Sequence, residues 1–395
     1  MTSDNLRVST GLALAVVTMG LAGACYFFWT PQPRAQVSDS GGRSGVNNRF
    51  VGSAACAACH PGEAFRHARS GHARTLTETS HLELARDLDG KSFFDEERGV
   101  TFRYLLTSAG LTVSLPDKFP DKPFPLTYAF GSGEHGVTFL SLIPSRSGEP
   151  AGVEHRVSAF GPERRLALTP NHGGAPVTQP VEEFGRIRQG TVLERCVDCH
   201  TTTGKVVGES LVDLRANVGC EKCHGPGANH IQAAERKQDD LAILFGKGTN
   251  SADNEIRMCG ACHRNPEQLD PADIRPDNKR LARFQPVGLL QSACYKKSGG
   301  RLTCSTCHDP HEHAPREREQ FDGRCLTCHS GDHAGSVICR ISPRENCVAC
   351  HMPATEVRPG TTFHDHWIRR RDEKSQTEPA PAKDPKTSES SPPGH

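Results

Sequence analysis

The chain has 395 residues, 47 Lys and Arg against 46 Asp and Glu, and a formal net charge of +1, so it lacks the strongly basic footprint of a nucleic-acid binder. Hydrophobic residues make up only 35%, and many of these are cysteines, which leaves a thin supply of apolar side chains for a core at this length. Seventeen cysteines and twenty histidines therefore call for a chemical explanation rather than a packing one.

In chain order, Thr10 to Trp29 is a run of twenty uncharged positions, which as a helix rising ~1.5 Å per residue would span the ~30 Å hydrocarbon core of a bilayer. Ala22-Gly23-Ala24 offers a small-residue cleavage site, but the apolar run continues through Tyr26, Phe27, Phe28 and Trp29, so an uncleaved anchor over residues 1–34 is expected. Cys25 within it reads as a small hydrophobe. A Ser- and Gly-rich tether and the first of seven Cys-x-x-Cys-His motifs fill 35–91, with a helix start at Pro61 and a helical stretch from His81 to Leu88.

The seven motifs are Cys56-Cys59-His60, Cys196-Cys199-His200, Cys220-Cys223-His224, Cys259-Cys262-His263, Cys304-Cys307-His308, Cys325-Cys328-His329 and Cys347-Cys350-His351. Two thiols three positions apart can form thioethers to both vinyl groups of one porphyrin while the next residue presents an imidazole to the iron, which is the attachment signature of haem c. Cys196, Cys199, Cys220 and Cys223 also approach a four-cysteine zinc spacing, and any Cys-x-x-Cys could be a redox dithiol. Neither requires a histidine after the second cysteine, and here it stands seven times in seven. Seven covalent haems are expected, and the porphyrins should supply much of the missing core. Haem ligation takes place outside the cytoplasm, so the bulk of the chain is expected on the periplasmic side of the cytoplasmic membrane.

Residues 92–183 carry no such motif. Val100–Leu106, Leu111–Leu115, Leu126–Phe130, Val137–Ile143 and Val153–Phe160 are β-branched and aromatic runs between Gly-, Ser- and Pro-rich breaks, which predicts an inserted β-meander. Six motifs crowd 184–367, separated by short helix and loop, for example Gln238 to Phe245 and Val287 to Ala293. The Pro-, Ser- and Lys-rich tail, 368–395, is expected to be disordered. The expected fold is thus a mainly α and irregular multihaem cytochrome c fold with an inserted β-meander and an N-terminal transmembrane helix. Cys294 and Cys339 are left over, as a disulfide or two free thiols.

Seven histidines are proximal, and thirteen remain for the sixth ligand. Of four methionines, Met1 and Met19 lie in the anchor, while Met258 and Met352 adjoin motif residues. Bis-histidine coordination should therefore dominate, and without Met/His ligation the haems should have low potentials. Fourteen propionates against seven ferric cores would make the holoprotein acidic, and 34 Arg against 13 Lys suits bidentate pairing with carboxylates.

The run from Cys56-Ala-Ala-Cys-His60 to Ser-Gly-His72 resembles the first haem motif of the tetrahaem cytochrome c that accepts electrons from hydroxylamine oxidoreductase. Val218-Gly-Cys220-Glu-Lys-Cys-His224-Gly-Pro-Gly227 is similar to the third motif of that cytochrome c-552/4-like superfamily. The resemblance implies an axial role for His72, twelve places after His60. Cys304-Ser-Thr-Cys-His-Asp-Pro-His311 and Phe363-His-Asp-His366 look like segments of larger multihaem relatives, where such histidines are distal ligands. His72, His230, His311 and His366 are thus the leading distal candidates. His313, His333 and His364 are local competitors, and His135 and His172 are candidates from the β-insert. No Cys-x-x-Cys-Lys motif of the ammonia-forming nitrite reductases is present. Outside the anchor only Tyr104, Tyr128 and Tyr295 could imitate the tyrosine cross-link of hydroxylamine oxidoreductases.

The expected function is electron transfer through closely packed haems to and from redox partner proteins, a membrane quinol dehydrogenase or another cytochrome among them. The alternative is an oxidoreductase with one open haem acting on a small nitrogen or sulfur compound. A third reading gives the β-insert a docking role.

Overall fold

The computed structural model describes residues 48–145, 147–245, 251–315, 319–331, 336–358 and 361–371. The expected membrane anchor, His333 and most of the tail lie outside them. The order begins α1 (Ser53–Ala57), α2 (Pro61–His67), β1 (Leu76–Glu78), α3 (Glu83–Leu88) and β2 (Ser92–Asp95). It continues through β3 (Val100–Thr107), β4 (Gly110–Leu115), β5 (Phe119–Leu126), β6 (Tyr128–Phe130), β7 (Gly136–Ile143), β8 (Ala151–Phe160), β9 (Arg165–Leu168) and β10 (Gly185–Gln189).

These strands form two antiparallel sheets. One is the meander β2-β3-β4-β5; the other runs β1-β6-β7-β8-β10, with β9 also paired to β8. Alternation builds the core between them: Val100, Phe102 and Tyr104 of β3 point inward with Leu111, Val113 and Leu115 of β4, as the two-residue period of a strand requires. Phe139, Val157, Phe184 and Leu88 of α3 complete this cluster. At its heart Tyr104 Oη lies 3.0 Å from His155 Nε2, and the His155 ring donates from Nδ1 to Phe184 O at 2.7 Å. Beside it Arg156 and Asp95 form a fully buried ion pair.

The haem-motif region supplies α4 (Gly190–His200), β11 (Thr201–Val207), β12 (Ser210–Ala216), α5 (Cys220–His224), α6 (Ala228–Glu235) and α7 (Ala252–His263). Then come α8 (Gln285–Gln291), α9 (Ala293–Lys297), α10 (Glu319–His329), α11 (Cys347–His351), β13 (Ala354–Arg358) and β14 (Thr361–His364). A second cluster, Leu76, Tyr128, Phe130, Leu140 and Leu142 with Leu193 and Val197 of α4, packs the second sheet against the helix of motif two.

Two expectations need correction, and a third is not shown. Strand is not confined to one meander: about 34% of the described residues are helical and 27% are strand, in four sheets, so the fold mixes α and β rather than being mainly α. The hairpin β11-β12 turns at Gly208, whose φ of +58° suits glycine, and its run of β-branched residues carries the strand signal. Among the described residues no helix is long and apolar enough to cross a membrane; the transmembrane helix expected over Thr10 to Trp29 lies outside them and is not shown. Finally, Gln238 to Phe245 is irregular rather than helical. Ala242 and Phe245 adopt positive φ, and the carbonyls of Leu241 and Leu244 are taken by histidine rings instead of a helix ladder. Cys294 and Cys339 are free thiols.

Candidate haem sites

Helical geometry explains how the motifs are presented. In α4, α5, α7, α10 and α11 the motif is the C-terminal end of the helix, which stops at the histidine. Cysteines three apart then share one face, about 5–6 Å from each other. Where no helix spans the motif, the same turn is kept: the N–H of His60 returns to Cys56 O at 2.9 Å, and that of His308 to Cys304 O at 3.0 Å.

The histidines meet in pairs drawn from distant segments. His60 faces His230 with ring centres 6.2 Å apart, His263 faces His72 at 6.3 Å, His224 faces His311 at 6.0 Å and His308 faces His366 at 6.2 Å. Two metal–nitrogen bonds of ~2 Å each, plus the distance from nitrogen to ring centre, add up to ~6 Å, so each gap fits one iron between two imidazoles. Every one of these pairs sets one motif histidine against one of the four leading distal candidates.

The far side of four of these rings is anchored through Nδ1. Nδ1–H donates to Leu244 O from His224, to Leu241 O from His230 and to His364 O from His366, each at 2.9 Å. In His311 it donates to the Asp309 carboxylate at 3.0 Å. Such bonds fix the tautomer that leaves Nε2 for a metal. Burial holds the imidazoles of His72, His200, His224, His263 and His308 below the ordinary histidine range and brings His366 down to about 4. All six therefore present the neutral form that ligates. His366 is set by a close approach: a Cβ on Gly288 of α8 would lie 2.7 Å from Trp367 N, and Ser292 Oγ donates to His366 O at 3.0 Å.

The other motif histidines keep the same anchor, His200 to Thr75 O (2.9 Å), His329 to Val337 O (2.7 Å) and His351 to Arg369 O (3.0 Å). The ring packed against His200 is that of Phe130, edge-on at 5.2 Å. His364 donates to Met352 O at 2.7 Å and so has the bearing of a further ligand. His67, which sequence reasoning passed over, is half-buried and bonds the backbone at Val218; only its place in the run between His60 and His72 could have drawn attention to it. His172 is engaged within the β-region, 3.1 Å from Glu154. His135 lies on Phe363 at 4.7 Å, and His313 lies 3.6 Å from Glu134.

Sulfur contacts record which motifs adjoin. The thiols of Cys56 and Cys220, Cys199 and Cys262, Cys259 and Cys304, and Cys325 and Cys347 lie close enough to influence one another. In a haem-loaded chain these sulfurs are thioethers, so the contacts mark neighbouring attachment points rather than lasting bonds. Longer-range charge interactions add Cys223 with Cys259 and Cys307 with Cys328. The motifs thus run one, three, four, five, six, seven, with motif two branching from motif four.

Helices that present paired cysteines beside facing histidines define a protein built to hold several porphyrin irons. Residues 178–225, spanning motifs two and three, match the family described as cytochrome c554 and c-prime. The Multiheme cytochrome MtrA of Shewanella baltica (strain OS185) is 23% identical over 213 residues, 49% of this chain and 62% of that protein. The chain thus spans less than two thirds of that curated relative. A crystal structure of Outer Cell Wall Cytochrome OcwA is similar at a TM-score of 0.45 and 14% identity, over 81% of this chain and 79% of that one. The motifs, with the family and MtrA matches, support a multihaem c-type cytochrome.

Proposed function

We propose that the chain is an extracytoplasmic heptahaem cytochrome that passes electrons one at a time between redox partner proteins, through haems that are mostly bis-histidine ligated. The observation that carries this reading is the set of four histidine pairs at 6.0–6.3 Å, each joining different parts of the chain. Bound haem would supply one-electron exchange between ferric and ferrous iron. The chain's own residues do the rest. The cysteines would hold each porphyrin, the paired imidazoles would supply the protein ligands to its iron, and Nδ1 bonds to carbonyls keep the rings of His224, His230 and His366 from turning. With two protein ligands in place, such an iron would offer no free position to small molecules and would need little rearrangement on reduction.

The test is direct. Protein matured in a cytochrome-competent host should carry seven haem masses, show low-spin signals for the paired centres by electron paramagnetic resonance, and leave those centres inert to carbon monoxide. Fewer haem masses, or predominantly high-spin iron, would overturn the reading.

A second reading, an oxidoreductase acting on a small nitrogen or sulfur compound, draws on one observation: the half-buried His200 imidazole is packed by Phe130. An open iron there would give one high-spin centre in seven, with steady turnover of nitrite, hydroxylamine or tetrathionate. Inactivity with all three would remove its support.

A further inference from the structure

Three carboxylates recur in one role beside the attachment residues. Glu221 stands between the two cysteines of motif three and is buried, at 4% exposure. Its Oε1 accepts the N–H of Val51 (2.7 Å) and of Gly227 (2.8 Å), and its Oε2 accepts that of Gly52 (2.7 Å). Val51 and Gly52 lead directly into α1 and motif one. Asp322, three residues before Cys325 of motif six, is buried at 6% exposure. It accepts the N–H of Asn346 (2.7 Å), Cys347 (3.0 Å) and Val348 (3.4 Å), the opening turn of the motif-seven helix. Glu255, four residues before Cys259 of motif four, accepts the N–H (2.7 Å) and hydroxyl (3.0 Å) of Ser305 inside motif five.

Each side chain therefore ends the exposed backbone donors of one motif while belonging to another. A helix start leaves such donors without partners, and a carboxylate is an acceptor-only group with room for several. The pairs so joined, one with three, six with seven and four with five, are also pairs whose cysteines lie close enough to influence one another. Glu221 and Asp322 are the buried members of the trio, so their charge is the least screened by water.

We propose that Glu221 and Asp322 are positioning residues, each of which locks two haem-attachment helices together and lowers the reduction potentials of the two haems so joined. A ferric haem core carries one more positive charge than a ferrous one, so a fixed negative charge nearby favours the oxidised state. The inference rests on the seven-haem reading, and its test separates the two.

Glu221→Gln, Glu221→Asp and Asp322→Asn are made in the full chain, purified as holoprotein, weighed and titrated by visible and magnetic spectroscopy. Glu221→Gln should keep seven haems, raise the potentials of two and weaken the magnetic interaction between them. Asp322→Asn should do the same to two different haems, and the double variant should show both shifts added. Glu221→Asp keeps the charge on a shorter arm, so potentials should return toward wild type while the magnetic interaction stays weakened. Should Glu221→Gln fail to accumulate, Asp322→Asn and Glu221→Asp carry the decision. Unchanged potentials, a uniform shift of all seven haems, or the same two moving in both variants would overturn the proposal. A wild-type mass short of seven haems would instead sink the reading beneath it.

Discussion

Between β1 and β10 the chain builds its core from side chains; after motif three it does not. The first region gathers sixteen buried hydrophobic residues into one cluster across two sheets. Beyond Cys220 the buried hydrophobics among the described residues are Ala228, Ala233, Ile256, Leu281, Ala282, Val287, Leu289 and Val348, mostly small or isolated. What joins this second region is polar: histidine facing histidine, rings held on carbonyls, and carboxylates across helix starts. The difference teaches where cohesion comes from. One region has enough apolar surface to offset its conformational entropy, whereas the other depends on porphyrin to fill its interior.

The most severe way to test that contrast is to withhold haem. Chain produced without haem attachment should lose amide protection throughout 220–371 while β3, β4, β7 and β8 stay protected in hydrogen exchange; equal protection in both regions would erase the distinction. Next in size is Asp95→Asn, which takes the fully buried carboxylate from Arg156, leaving it the more exposed Glu97 at 3.2 Å, and should cost up to about 3–5 kcal/mol in the β-region. Its haem mass should be unchanged, and a variant that instead lost haem would show that the regions are not energetically separate. A local effect is expected from His366→Leu: one haem of seven should turn high-spin and bind carbon monoxide, with six unaltered by magnetic spectroscopy.

The smallest effect is one of pH. Burial pushes the His155 imidazole down to about 3, so below the ordinary value near ~6.5 the unfolded chain takes up a proton that the native state refuses. The stability this neutral ring contributes is complete above that value and is lost progressively as pH falls toward 3. His155→Gln should flatten the slope of β-region stability over this interval, read by hydrogen exchange; an identical slope would assign the acid sensitivity elsewhere.

Legibility differed with the range of the interaction concerned. The strands β3, β4, β7 and β8 fall on the alternating runs of Val100, Leu111, Val137 and Val153, because a two-residue period is a local pattern. The hairpin β11-β12 carried similar evidence in Thr201-Thr-Thr and Val206-Val, yet its place between two haem motifs made loop the simpler reading. Gln238 to Phe245 shows the opposite error: its composition permits helix, but His224 and His230 claim its carbonyls. His67 and the clamp residues Glu221 and Asp322 went unread because their partners, Val218, Val51 and Cys347, are remote in the chain.

The sequence by itself determined where haem would attach, since two thiols and an imidazole within five residues are a local chemical arrangement that no later folding step can relocate. Only the tertiary structure decided which histidine faces which: His230, beyond motif three, meets motif one, and His72, beyond motif one, meets motif four. Axial pairing is a contact between segments far apart in the chain, and such contacts are fixed by how whole helices pack rather than by the spacing of the residues that make them.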